Sequence, residues 1–220
     1  MTSARLVCAL AAPLLVAGCA AGGSGTVATP TSSSAAATSA VAPMTPAPPP
    51  AGQPVPFRDY LASINVTGSP VRFDQAPGLT VTVPTPDGWA RTADPMFATG
   101  VDFVQPIDVK GTYPSVTVMA IKLDGQFDPK DAVLHANTDA LPPNATGVVE
   151  SYADYRGFPS AVAQGVVGNV QHYSRIVLAD VPSSGQRYLV QLAVTTLVDQ
   201  PIDKSPQLTS IVSGFTVTAT

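Results

Sequence analysis

Two runs of sequence decide the fold: Ser160-Ala-Val-Ala-Gln-Gly-Val-Val167 and Val170-Gln-His-Tyr-Ser-Arg-Ile-Val-Leu178, separated only by Gly168-Asn169. β-branched and aromatic residues on both sides of a two-residue Gly-Asn link specify a tight hairpin, so these strands are antiparallel. A parallel pair would need a crossover of a dozen or more residues. Working outward, the same reading extends to strands over 146–154 and 187–198. Their connections, Arg156-Gly157-Phe158-Pro159 and Pro182-Ser183-Ser184-Gly185, are again too short for anything but hairpins.

Further upstream, Leu79-Thr80-Val81-Thr82-Val83 alternates as a half-buried strand, ended by Pro84, Pro86 and Asp87-Gly88 ahead of Trp89. Residues 101–105 read as another strand. Residues 115–123 are apolar on both alternating sets, Thr117, Met119, Ile121 and Leu123 against Val116, Val118 and Ala120. That pattern predicts a central strand covered above and below. Three helices complete the set. Phe57, Leu61 and Ile64 recur at i, i+4 and i+7. Asp128-Pro129-Lys130-Asp131 is a helix start, with an N-cap acceptor, Pro at the first helical position and an acid in the first turn, and its helix is predicted to run to Leu141 before Pro142-Pro143. Ser205-Pro206 opens a last helix carrying Leu208, Ile211, Val212 and Phe215. The expected fold is α+β, an antiparallel sheet with helices packed on it.

The N-terminus carries a different message. Arg5, an apolar run from Leu6 to Val16, and Val16-Ala17-Gly18-Cys19 follow the order of a secretory signal that ends in a bacterial lipobox. Residues 1–18 are expected to leave as a signal peptide, with Cys19 acylated. The apolar run is too short for a bilayer span, which takes about 18 or more residues. Each acyl methylene buried in lipid contributes about 0.8 kcal/mol, so two or more chains anchor stably. Residues 19–54 then form an Ala/Ser/Thr/Pro-rich tether without a charged or aromatic side chain, a composition that cannot bury a core. As a flexible coil it would span roughly 30–35 Å, and as extended polyproline over about 100 Å. It reads as a spacer, with O-glycosylation of its Thr and Ser residues as the alternative. The domain proper is expected over 55–220.

Composition excludes several function classes. The chain has 220 residues and a formal net charge of −4, and loss of Arg5 with the signal makes it one unit more negative. With no basic cluster it has no footprint for nucleic acid. Of its two cysteines, Cys8 lies in the signal and Cys19 would be acylated, so the folded part can build no disulfide and no thiolate metal site. The two histidines, His135 and His172, have no ligating neighbours at metal spacing, and no metal or cofactor is expected. No Gly-x-Ser-x-Gly elbow, Walker loop or dinucleotide fingerprint is present. Asp87, Asp124, Asp128, Asp131 and Asp180 are accounted for by turns and helix starts, and Trp89 by closure of a sheet end.

The lipobox at Cys19, the tether, Pro84-Thr-Pro-Asp-Gly-Trp89, the helix start at 128–131 and Tyr155-Arg-Gly-Phe-Pro159 together resemble the mycobacterial LpqN/LpqT lipoprotein family, over essentially the whole chain. The resemblance implies a Mog1/PsbP-like fold, an α/β/α sandwich on an antiparallel sheet. It also implies a place in the cell envelope, facing the extracytoplasmic side, with accessory roles around export of mycolate-type lipids. The partners it suggests are an envelope glycolipid or an inner-membrane lipid-transport protein. That family has no defined catalytic residues to carry over, and the expectation is a non-enzymatic lipid-binding or adaptor module. Phe57, Leu61, Met96 and Phe97 are the candidate lipid-binding residues, ordinary packing of the first helix on the sheet being the alternative for the same side chains. The competing functions are an envelope hydrolase, in which His135 or His172 would reach a Ser or Thr hydroxyl, and a purely structural envelope protein.

Overall fold

A computed structural model describes residues 55–92, 100–108 and 111–220. The hairpins read from the sequence form the centre of the molecule. β7 (Ser160–Val167), β8 (Val170–Val181) and β9 (Gln186–Leu197) pair antiparallel in continuous register, Ala163 opposite Ser174 and Ser174 opposite Ala193. β5 (Ser115–Asp124) continues the sheet, with β4 (Val101–Pro106) and β3 (Trp89–Thr92) beyond it and β6 (Thr146–Tyr152) at the opposite edge. β1 (Thr67–Val71) pairs with the second half of β5, beside the half that β4 occupies. These eight strands are antiparallel throughout.

Helices lie on both faces, giving the expected α/β/α sandwich. On one face, Val104, Val116, Val118, Val190, Leu192 and Val194 are fully shielded from solvent. They lie under α3 (Pro206–Gly214), whose Leu208 and Ile211 point inward, under Phe215, and under a small ribbon of β2 (Leu79–Thr82) paired with β10 (Thr216–Ala219). Ser205 caps α3, its hydroxyl accepting from the Leu208 N–H at 3.3 Å, as the Ser-Pro start requires. On the other face, α1 (Phe57–Ser63) and α2 (Pro129–Val133) pack Phe57, Leu61, Ala132 and Val133 onto Leu123, Leu178 and Leu189.

Three differences from the sequence reading have physical causes. The helix expected over 128–141 ends at Val133 and resumes as a 3₁₀ turn, Ala136–Asp139. Here side chains compete with the helical ladder: the Asn137 amide donates to the Val162 carbonyl at 3.0 Å, and the Thr138 hydroxyl donates to the His135 carbonyl at 2.7 Å. β1 (Thr-Gly-Ser-Pro-Val), β3 and β10 are absent from the sequence reading: β1 carries the Gly and Pro that an edge strand tolerates, and β3 and β10 are only four residues long. Gly100 shows how closely β1 and β4 meet. It sits at φ +85°, and a Cβ there would lie 2.3 Å from the Val71 carbonyl oxygen. The third correction concerns β5, which is central but on one side only part-covered by the described elements. Val116, Val118 and Ala120 are buried, whereas Thr117, Met119 and Ile121 remain part-exposed.

Candidate functional site

The half-covered face of β5 is one part of a larger strip. Strand register aligns Val101, Met119 and Gln191 in one row. Phe103, Thr117, Ala193 and Ser174 form the next, and Ser115, Thr195 and His172 a third. Apart from Ser174 these side chains are all part-exposed. The mirror-side residues of the same strands, Val104, Val116, Val118, Leu192 and Val194, are completely buried. α1 and α2 cover only the half of the face toward the Leu123–Leu189–Leu178 end.

The strip has two characters. Next to the α1 end it is apolar, with Val101, Phe103, Met119 and Ala193. Farther along it becomes a patch of neutral hydrogen-bonding groups. There the Ser115 and Thr195 hydroxyls lie 2.8 Å apart; Gln191, back in the row of Met119, donates its amide to the Ser174 hydroxyl at 2.9 Å. His172 closes this end, and burial pushes its pKa below the ordinary imidazole value, which favours the neutral ring. No carboxylate or ammonium is among these residues. A surface of this kind can hold a molecule that is apolar at one end and hydroxyl-rich at the other.

Nucleophilic machinery is not assembled here. His172 is opposite Thr195 in the ladder yet makes no hydrogen bond to it, and Thr195 and Ser115 bond to each other instead. His135 stacks flat on Tyr60, ring centroids 4.0 Å apart at 14°, and lines the cleft beside β6 together with Thr138 and Tyr152. Among the described residues no group of three or more His, Cys, Asp or Glu gathers as a metal site.

A separate cleft of about 540 Å³ lies between the 3₁₀ turn Ala136–Asp139 and β6, lined by Leu134, Leu141, Pro142, Val148, Glu150 and Tyr152. Burial and the neighbouring Glu150 carboxylate raise the Tyr152 pKa, so its hydroxyl stays protonated. A second cleft, of about 440 Å³, opens between α3 and β7–β8 around Tyr155 and Arg175.

The sequence-derived site residues separate into two groups. Phe57 and Leu61 are 5% and 9% exposed and pack into the core under α1 rather than lining an open surface. Met96, Phe97 and the lipobox Cys19, with the signal and tether, lie outside the described residues. Sequence reasoning did not single out Ser115, Thr117, Gln191, Thr195 or His172 as a group. A signal for them did exist: in β9, Gln191, Ala193 and Thr195 alternate with Val190, Leu192 and Val194, which marks one face as less apolar than the other.

The fold defines a class: an α/β/α sandwich on an antiparallel sheet. The crystal structure of LpqN, described as involved in cell envelope biogenesis of Mycobacterium tuberculosis, has this fold. It superposes with a TM-score of 0.58 at 22% identity, covering 76% of this chain and 99% of that one. The family model described as "Probable lipoprotein LpqN" matches residues 53–218. The lipoprotein LpqT of Mycobacterium leprae (strain TN) is 39% identical over 75% of this chain and 77% of its own length. That of Mycobacterium tuberculosis (strain ATCC 25618 / H37Rv) is 38% identical over 76% and 75%. The chain belongs to the LpqN/LpqT lipoprotein family.

Proposed function

We propose that this chain is a membrane-anchored lipoprotein of the cell envelope, on the extracytoplasmic side, that binds an envelope lipid without chemically changing it. The observation that carries the reading is the strip itself: a sheet face whose central side chains the described elements leave part-exposed, apolar beside α1 and β4 and hydroxyl-rich toward His172. An antiparallel sheet can leave one face to water, but apolar side chains kept there, such as Val101 and Met119, forgo about 0.8 kcal/mol for each exposed methylene, which a bound apolar group would recover. An acyl segment over Met119 and Ala193 and a hydroxylated headgroup over Ser115 and Thr195 would satisfy both halves. The lipobox at Cys19 supports attachment to the membrane that supplies such a ligand. The involvement of LpqN in cell envelope biogenesis supports a role of that kind for this chain, of which handling lipid for export is the specific form proposed here.

The test is native mass spectrometry of the full chain released from its membrane in polymer-bounded particles without detergent. One lipid retained per chain is expected, and none in Ala193→Trp, which fills the strip, provided that variant melts within a few degrees of the parent. Absence of retained lipid in the parent would sink the reading. Anchoring is checked separately by labelling with an alkyne fatty acid, expected on the parent and lost in Cys19→Ser. A second role, as an adaptor, is favoured by β6, an edge strand exposed along all seven residues with Val149 65% exposed. An unpaired edge of this kind accepts a strand from a partner. A lipid-transport protein is the partner proposed, and crosslinking from position 149 in membranes would identify it.

A further inference from the structure

The concavity of about 440 Å³ between α3 and β7–β8 contains a cation that forms no ion pair among the described residues. Arg175 lies with its guanidinium 4.2 Å over the centre of the Tyr155 ring, and its Nε donates to the Tyr173 hydroxyl at 3.1 Å. Tyr155 is itself fixed, its hydroxyl donating to the Phe215 carbonyl and its ring stacked on Phe215 at 5.9 Å. The guanidinium is therefore held in one orientation, with its two Nη groups unclaimed by any acceptor among the described residues. Arg58, Arg72, Arg91 and Arg187 each pair with an aspartate. Arg175 and Arg156 do not, although the chain carries more carboxylates than cations. Both converge on the same ring, Arg156 at 5.8 Å.

We infer that this concavity is an oxyanion site for a phosphorylated polyol, with the Arg175 Nη fork as the phosphate ligand. A pre-oriented guanidinium matches two phosphate oxygens at once, which neither an ammonium nor a neutral amide does. The remaining lining explains the polyol. Gln164, Asp203 and Ser213 offer amide, carboxylate and hydroxyl groups around the same space, suited to hydroxyls rather than to a second anion. The volume exceeds that of a bare phosphate and suits a headgroup. The site faces away from the half-open strip, across the sheet, and does not depend on lipid binding there.

The test uses the full chain in phosphatidylcholine nanodiscs, reading the Arg175 side-chain nitrogen signal by NMR and binding heats by calorimetry. The probes are inorganic phosphate, myo-inositol 1-phosphate, myo-inositol, and nanodiscs doped with phosphatidylinositol. Expected are a saturable Arg175 shift with myo-inositol 1-phosphate, a weaker one with inorganic phosphate and none with myo-inositol. Loss of one charge-assisted fork predicts roughly tenfold or more weaker binding in Arg175→Gln. Arg175→Lys, which keeps charge but not the fork, should fall between. A shift produced by doped nanodiscs alone would place the headgroup on a lipid, and one produced by the soluble probe would identify a free metabolite; either supports the site. No shift with any phosphate probe, or equal response to myo-inositol, overturns it. Should Arg175→Gln unfold, the parent's NMR response to the phosphorylated and unphosphorylated probes still decides. Ala193→Trp should leave this binding unchanged, so failure here and failure of the strip are separately visible.

Discussion

Val118 and Met119 are neighbours on β5, and the half-open face predicts that their alanine variants invert the usual order of core substitutions. Val118 is completely buried between Asp102 and Leu192 in the ladder. Val118→Ala removes two methyl-sized groups, roughly 1.6 kcal/mol of transfer free energy at about 0.8 kcal/mol each. The cavity that cannot collapse among fully buried neighbours raises this to roughly 2–3 kcal/mol. Met119→Ala removes more atoms and in a packed core would cost roughly 2–5 kcal/mol. Its side chain is part-exposed and its neighbourhood can relax, so the expected cost is roughly 1–2 kcal/mol, below that of Val118→Ala. Urea unfolding of both variants, with unchanged m-values, reads the two costs directly. If Met119→Ala costs as much as Val118→Ala, the face is closed and the proposed ligand strip does not exist.

Other expectations follow from single contacts. Gly100→Ala should destabilise by at least about 1–3 kcal/mol, because φ +85° is strained for alanine and its Cβ would collide with the Val71 carbonyl; a lowered urea midpoint checks it. Ser205→Ala removes the hydroxyl that caps α3 and should cost about 1 kcal/mol in the same measurement. His172 gives a pH dependence. Its folded pKa lies below the unfolded value near 6.5, so the unfolded chain binds the proton more readily. Stability from this group is fully present above that value and declines as pH falls through it, levelling off below the folded pKa. His172→Gln should flatten this part of the stability–pH curve, and an unchanged curve would show that another group sets the slope.

Local pattern was enough for the elements that specify themselves. Gly168-Asn169 fixes a hairpin whatever surrounds it, and Ser205-Pro206 and Asp128-Pro129 start helices through their own side chains. The same logic fails where tertiary contacts decide. The second helix breaks after Val133 because Asn137 finds an acceptor on Val162, twenty-five residues away, which no local signal announces. β1 exists because Gly68 and Pro70 meet β5, not because their sequence favours extension. Phe57 and Leu61 show the opposite limit: their spacing correctly gave a helix face, but an apolar helical stripe reads the same whether it meets a core or a ligand, and here it meets a core.

The sequence by itself determined the antiparallel meander, the capped helices, the α+β class and, through Val16-Ala17-Gly18-Cys19, the expectation of a lipid anchor. These depend on near neighbours in the chain. Only the tertiary structure decided which apolar positions are covered. Met119 and Val118 are both apolar neighbours in sequence, and what separates them is that α3 with its ribbon spans one face while α1 and α2 reach across only part of the other. Likewise Tyr155, Tyr173 and Arg175 become a group only when the 155–158 turn folds back beside β8, leaving a charge with no ion-pair partner among the described residues.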